Sequence, residues 1–197
     1  MKRWFDPALV LLASPVWVPM LVVVALAIGF TMGRPVIFSQ VRPGIHGKLF
    51  RLFKFRTMRE PIFEADRLST DAERITALGR FLRATSLDEL PELWNVLVGD
   101  MSLVGPRPLL TEYLPLYSPE QARRHEMRPG LTGWAQINGR NAITWDERFR
   151  LDVWYVDNWS LGLDIRILMG TFVKVILREG ISAEGQATMS RFTGNAK

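Results

Sequence analysis

The sequence predicts an α+β protein, a helix-rich single domain with a small β-hairpin or sheet and an N-terminal membrane helix broken near its middle. Three observations carry this. No charged side chain occurs from Pro7 to Gly33, a run longer than the roughly 20 residues that span a bilayer as a helix. Two β-rich stretches flank the turn residues Pro43-Gly44 and Gly47, as in a hairpin. Farther on, apolar residues recur at helical spacing in several segments. With 197 residues, 48% of them hydrophobic, the chain can bury one compact core and calls for no second large domain. The expected organisation is a membrane helix over 1–34 and a globular domain over 35–197 whose amphipathic helices can lie at the membrane interface.

The apolar run is not a plain spanning helix. Ser14-Pro15 and Pro19 lie inside it; an interior proline removes a backbone hydrogen bond and kinks a helix, and Ser14 can satisfy a freed carbonyl. Basic residues flank both ends, Lys2 and Arg3 before it and Arg34, Arg42 and Lys48 after it, so loop charge does not assign the ends to opposite sides. A helix broken at Ser14-Pro15 that enters and leaves through one face fits better. The competing signal peptide, with Ala25-Leu26-Ala27 as cleavage site, is opposed by the length of the run and its two prolines.

The next elements follow in order. Residues 36–58 form the two β-rich runs, and 59–70 are polar and irregular. Asp71 to Thr85 reads as an amphipathic helix, with Ile75, Leu78, Phe81 and Leu82 on one stripe and Arg74, Arg80 and Arg83 at its border. Ser86 to Val98 reads as a second helix, and Gly99-Asp100 with Gly105-Pro106-Arg107-Pro108 as a rigid loop. A helical or mixed stretch runs from Leu109 to Met127, then come the turn-rich Pro129–Gly133 and Asn138–Asn141. Asp146 to Asn158 and Asp164 to Arg178 are the last two helices; the second carries Ile165, Leu168, Met169, Phe172, Val173 and Ile176 on one stripe.

Composition narrows the chemistry. There is no cysteine and there are two histidines, so thiolate sites are excluded and a metal would be a hard ion held through oxygen. The two histidines, His46 and His125, read as a turn residue and a surface helix residue. A formal charge of +5 favours an anionic partner, and the seven Trp and eleven Phe favour a membrane surface as that partner. No P-loop, dinucleotide, zincin or serine-hydrolase motif is present.

Asp88 and Glu89 stand at a predicted helix start, where free N–H groups and the helix dipole favour negative charge and phosphate. Ser86-Leu87-Asp88-Glu89 is also a capping box in which Glu89 would only reach back to Ser86, though Pro91 suits the first turn only if Asp88 is the cap. Lys54, Arg56, Arg83, Arg107 and Arg140 supply cations, most of them beside aromatic, proline or glycine residues that hold the backbone still.

Read as one block, SLDELPELWNVLVGDMSLVGPRPLL resembles the monotopic phosphoglycosyl transferases, also called the bacterial sugar transferase family. The resemblance extends to FKFRTM, RPGLTGWAQINGRN and DVWYVDNWSL, nearly the whole chain. It implies a bacterial inner-membrane enzyme on the cytoplasmic face, with a re-entrant helix broken at Ser14-Pro15. It implies that Asp88 attacks the proximal phosphate of a UDP-sugar and releases UMP. Undecaprenyl phosphate then takes the phosphosugar from the enzyme, in ping-pong order. By the same motifs, Glu89 assists Mg2+ binding with Asp88, Lys54 and Arg83 hold phosphate, and Arg107 and Arg140 line the nucleotide or phosphate pocket. Asp152, Asp157 and Asn158 are not assigned. The region GWAQINGRNAITW and the tail are similar to members that start N-linked protein glycosylation from UDP-N,N′-diacetylbacillosamine. Three alternatives compete: a hexose-1-phosphate transferase of capsule or O-antigen assembly, a non-enzymatic basic protein bound to membrane lipids, and a nucleic-acid binder, which leaves the apolar run without a role and is set aside.

Overall fold

The computed structural model describes residues 2–60, 63–64, 67–68, 71–139, 143–177 and 191–194. The apolar run forms two helices, α1 (Lys2–Leu12) and α2 (Ser14–Met32), separated at Ala13. Pro15 falls in the first turn of α2, where its missing N–H costs least, so the chain reopens its hydrogen-bond ladder at the expected Ser-Pro pair. The Trp17 indole bridges the break, donating to the Val10 carbonyl at 2.9 Å. Pro19 stays inside α2.

Both arms are fastened to the same body. On α1, Lys2 Nζ donates to Tyr155 Oη at 2.6 Å and Asp164 Oδ2 at 2.7 Å, and buried Asp6 accepts from the Ser102 hydroxyl. At the far end of α2 the buried Arg56 guanidinium donates to the Met32 and Gly33 carbonyls at 2.5 and 2.7 Å. A cation here satisfies orphan carbonyls at the negative end of the helix dipole. Between the fastened ends the surface is bare and apolar: Leu11, Leu12, Val16, Val23, Leu26 and Phe30 are all exposed. α2 is long and apolar enough to cross a membrane, with a mean hydropathy of 2.1 and little of its length buried.

The predicted hairpin is present, β1 (Ile37–Pro43) pairing antiparallel with β2 (Leu49–Phe55) around a 3-10 turn at Ile45–Gly47. Two short strands follow, β3 (Phe63–Glu64) and β4 (Arg67–Leu68), in the stretch expected to be irregular. The helix expected over 71–85 is two, α3 (Asp71–Arg74) and α4 (Ala77–Ala84). Thr76 interrupts it by capping α4, its hydroxyl accepting from Gly79 N at 2.9 Å. The second expected helix starts late: Ser86 is left-handed at φ 57°, residues Leu87–Glu89 form one 3-10 turn, and α5 spans Glu92–Val98.

The loop expected around Gly105-Pro106-Arg107-Pro108 conceals β5 (Ser102–Val104), which pairs in parallel with β6 (Gly130–Thr132). Between them lie 3-10 turns at Thr111–Leu116 and Arg123–Glu126 and the short α6 (Pro119–Ala122). After β6 come α7 (Trp134–Ile137), α8 (Trp145–Asp157) and α9 (Leu161–Leu177). One apolar cluster joins Val10 of α1 to Leu52, Val96, Val104, Tyr155 and Ile167. A second joins Val24 and Ile28 of α2 to Phe55 and Leu82, with Leu87 and Leu90 packed against it.

β5 and β6 meet with their backbones in close approach. A Cβ built on Gly130 would lie 2.0 Å from Gly105 N and 2.3 Å from Thr132 O, and backbone atoms cannot move aside as a side chain could. We predict that Gly130→Ala lowers stability by at least about 2 kcal/mol in urea or thermal unfolding. Gly170→Ala is the control, because its Cβ would meet only Ile137 side-chain atoms, at 3.5 Å or more. It is expected to be neutral or stabilising by up to about 1 kcal/mol.

Candidate active site

A cavity of about 540 Å³ is lined by Lys54, Arg83, Asp88, Glu89 and Arg107, together with Arg42, Arg148, Gln136 and Asp152. Five of the six sequence-predicted site residues therefore converge; Arg140 lies outside the described residues. Lys54 comes from β2, Arg83 from the last turn of α4, the carboxylates from the 3-10 turn, and Arg107 from the loop after β5.

The turn carrying Asp88 and Glu89 is held from both sides. Leu87 and Leu90 pack into the cluster built on α2. Beyond it, fully buried Asn95 ties α5 to β2, its Nδ2 donating to Arg51 O at 2.8 Å and its Oδ1 accepting from Phe53 N at 3.2 Å. That pair of bonds sets Lys54, the next residue of β2, against the carboxylates. The expected capping box is absent. Ser86 has left-handed dihedrals and makes no side-chain cap, and Glu89 faces the cavity instead of reaching back.

The two adjacent carboxylates have different environments. Glu89 Oε1 accepts from Lys54 Nζ at 2.7 Å and from an Arg107 guanidinium nitrogen at 2.5 Å. Although burial opposes its charge, Arg107 and Lys54 hold its pKa well below the usual carboxylate range. Asp88 has no hydrogen bond or ion pair among the described residues. Burial first and the Glu89 charge second push its pKa up to about 6, against the pull of Lys54, Arg107 and Arg83. One carboxylate is fixed and spent on cations, while its neighbour is ionised at neutral pH and has no fixed partner. A half-buried carboxylate in a cavity, its pKa displaced by desolvation and a like charge, is a candidate for the chemistry.

A third carboxylate was missed in the sequence. Glu92, 2% exposed, lies 2.9 Å from Lys54 Nζ, and its pKa is pushed up to about 7, by burial first. Lys54 thus bridges two glutamates, and despite the lowering effect of burial their charges carry its pKa above the ordinary value. The unassigned trio also resolves. Asp152 lines the cavity and is fully buried. It accepts from buried Arg124 at 2.7 and 3.1 Å, and Arg124 also donates to the Arg107 carbonyl at 2.7 Å. Asp157 pairs with Arg123 at the surface, and Asn158 donates to the Trp154 carbonyl at the end of α8. His125 is not a surface residue: it is half-buried with Nδ1 3.1 Å from Gly44 O, and burial lowers its pKa to about 4. Of the remaining predicted cations, Arg83 donates to the Thr57 hydroxyl at 3.1 Å, and Arg56 serves as the cap of α2.

Among the described residues no group of three or more His, Asp or Glu forms a metal cage. Asp88 and Glu89 nevertheless border one cavity, and both cations on Glu89 engage the same oxygen, Oε1. Two carboxylates fit Mg2+ when substrate phosphates complete its shell. A cation-bound carboxylate, an unpaired one and a basic wall define a site for an anionic, phosphorylated substrate.

The family model described as Bacterial sugar transferase matches residues 1–178, and the chain belongs to that family of transferase enzymes. It is 55% identical to the uncharacterized sugar transferase EpsL of Bacillus subtilis over 99% of this chain and 96% of that one. It is 45% identical to the undecaprenyl-phosphate galactose phosphotransferase of Salmonella typhimurium, over 75% of this chain but 35% of that longer protein. It is 42% identical to the UDP-glucose:undecaprenyl-phosphate glucose-1-phosphate transferase of Caulobacter vibrioides, over 86% of this chain and 67% of the relative.

The Asp88 environment generates a titration prediction. Glu89→Gln removes a negative neighbour and frees Lys54 and Arg107 to face Asp88, and both changes lower its pKa. The Asp88 carboxyl midpoint, followed by 13C NMR of labelled aspartate, is expected to move from about 6 toward the ordinary value near 4. An unmoved midpoint would contradict the charge coupling.

Proposed function

We propose that the protein transfers a sugar 1-phosphate from a UDP-sugar to undecaprenyl phosphate at the cytoplasmic face of the bacterial inner membrane, through a phosphosugar intermediate on Asp88. The observation that carries this reading is the pairing of an unengaged Asp88 with a cation-bound Glu89 in one basic cavity. The relatives named as undecaprenyl-phosphate sugar phosphotransferases support the same acceptor.

In this scheme an Asp88 oxygen attacks the phosphorus that carries the sugar, the P–O bond to UMP breaks, and UMP leaves with the electron pair. A phosphate oxygen of the acceptor then attacks the same phosphorus, the acyl phosphate bond breaks, and Asp88 is restored as carboxylate. Ionised Asp88 needs no general base. Lys54 and Arg107 orient Glu89 and face developing charge on the phosphate, and Arg83 lies on the same wall. Mg2+, held by Asp88 and Glu89 with the diphosphate, would supply neutralisation of the phosphate charge. Arg140 joins this set as a nucleotide or phosphate ligand on the family motif alone.

Two donor readings stand side by side. The motif similarity points to UDP-N,N′-diacetylbacillosamine and protein glycosylation, whereas the galactose and glucose in the relatives' names favour a hexose 1-phosphate. A panel of UDP-sugars, scored by UMP release and by the sugar on the lipid, separates them. Whatever the donor, Asp88→Asn is expected to lower UMP release by about a thousand-fold or more while membrane association persists. Because only the ionised carboxylate attacks, the wild-type rate is expected to fall about ten-fold per pH unit on the acid side of the Asp88 midpoint and to level off above it, with Mg2+ drawing that midpoint below the metal-free value of about 6. EDTA is expected to abolish release and Mg2+ to restore it. Near-wild-type turnover by the Asn variant would overturn the covalent scheme.

We further propose that α1 and α2 form a re-entrant anchor. Support comes from the fastening of both arms to one body while one face of the segment between them is exposed and apolar. Cysteines placed one at a time at Arg3 and Lys48 are expected to react with an impermeant maleimide from the cytoplasmic side only. Pro15→Ala, which restores the helical ladder, is expected to expose part of the position-3 label on the opposite side. Periplasmic labelling of position 3 in the parent protein would refute the anchor.

A further inference from the structure

A second cavity of about 320 Å³ adjoins the first, and the two share Ser86, Glu89, Arg107 and Gln136. Their walls differ in kind. Beyond the shared rim the second is walled by Leu90, Leu93, Leu103, Leu131, Ile137 and Leu168. The hydroxyls on its wall are already satisfied: Thr171 donates to Ile167 O at 2.8 Å, and Thr132 and Thr171 share a bond of 2.6 Å. Between the polar rim and Lys174 at the outer end, the wall is therefore mainly hydrocarbon.

At its outer end the groove reaches Phe172 and Val175 of α9, with Lys174 beside them. Phe172 is 68% exposed and continues an apolar strip of α9 with Met169 and Val173. The groove thus runs from a basic chamber to an apolar surface. At the junction, the Gln136 side-chain nitrogen and oxygen are buried without a hydrogen-bond partner among the described residues, an arrangement that a polar ligand group at the rim would satisfy.

A charged chamber that opens into an aliphatic one fits an amphiphile whose anionic head and hydrocarbon tail are joined end to end. A UDP-sugar has no hydrocarbon to fill it. We propose that this groove holds the first isoprene units of the polyprenyl phosphate acceptor. The phosphate sits at the Arg107–Gln136 rim, within reach of Asp88, and the tail leaves past Phe172 along α9 toward the bilayer. This assignment rests on the acceptor reading above and adds the path of the tail. It also gives the two substrates separate entries, the nucleotide through the open polar cavity and the lipid through the α9 groove.

The test uses full-length wild-type enzyme in phosphatidylglycerol/phosphatidylethanolamine vesicles, with a polyprenyl phosphate bearing a diazirine on its second isoprene. Cross-links are expected at Ile137 and within Leu168–Val175; cross-links confined to Lys2–Met32 would overturn the assignment. In parallel, Val175→Trp narrows the groove and is expected to raise the acceptor KM at least about ten-fold, with a much smaller change in kcat. An acceptor KM equal to wild type in the folded variant would also overturn it. UMP release by the wild type without acceptor separates the two levels. If no UDP-sugar yields UMP, the transfer reading and the groove fall together; if UMP is released and the label lies elsewhere, only the groove falls.

Discussion

The Glu89 carboxylate, pulled by Lys54 and Arg107 onto one oxygen, is the interaction on which the site depends. It joins three parts of the chain that are remote in sequence: strand β2, the turn after α4, and the loop after β5. Charges in such a position cost solvation that only close partners return, so removing any of the three leaves the others destabilised. The same knot explains why two neighbouring carboxylates diverge. Cations bound to Glu89 keep it ionised, and its fixed negative charge raises Asp88, leaving that group without a partner and close to its ionisation midpoint at the lower edge of physiological pH.

Behind the knot stands a second buried pair. Arg124 spans Asp152 and the Arg107 carbonyl, so α8 fixes the backbone of the residue whose side chain holds Glu89. The close contact of Gly105 with Gly130 fixes the other side of that loop. The Gly-Pro-Arg-Pro and Arg-Pro-Gly segments, which read in the sequence as a rigid loop and a turn-rich stretch, are in large part a frame that delivers a single guanidinium. Arg56 makes the same point: it lies in the FKFRTM block beside Lys54, yet its guanidinium caps α2.

Much of this was legible before the fold. The break at Ser14-Pro15 follows from a missing N–H, and the hairpin from two β-rich runs around Pro43-Gly44 and Gly47. The convergence of Lys54, Arg83, Asp88, Glu89 and Arg107 followed from motif resemblance, since periodicity carries no information about which loops meet. The parallel pair β5 and β6 was hidden because three-residue strands ending at Gly and Pro have the composition of turns. The helix at 71–85 looked continuous because its apolar stripe persists across Thr76, whose capping role depends on a backbone break that the stripe does not encode. Glu92 was missed for a related reason: inside an amphipathic helix a glutamate is ordinarily solvated, and only the packing of α5 on β2 turns this one toward Lys54.

The placement of the site relative to the apolar helix is the last consequence. Leu87 and Leu90, which flank the carboxylates, pack into the cluster whose centre is Val24 and Ile28 of α2. The turn that carries Asp88 is therefore indexed to the apolar helix by hydrocarbon packing and to the basic strand by ion pairs. Apolar packing is non-directional but resists displacement into water, whereas the ion pairs fix orientation over a few ångströms. Together they fix the carboxylate turn relative to α2, whose other face exposes Val16, Val23, Leu26 and Phe30. On the proposed reading, that indexing is what lets a water-soluble donor and a lipid acceptor meet at one phosphorus atom: the acceptor phosphate reaches Asp88 while its tail stays in hydrocarbon.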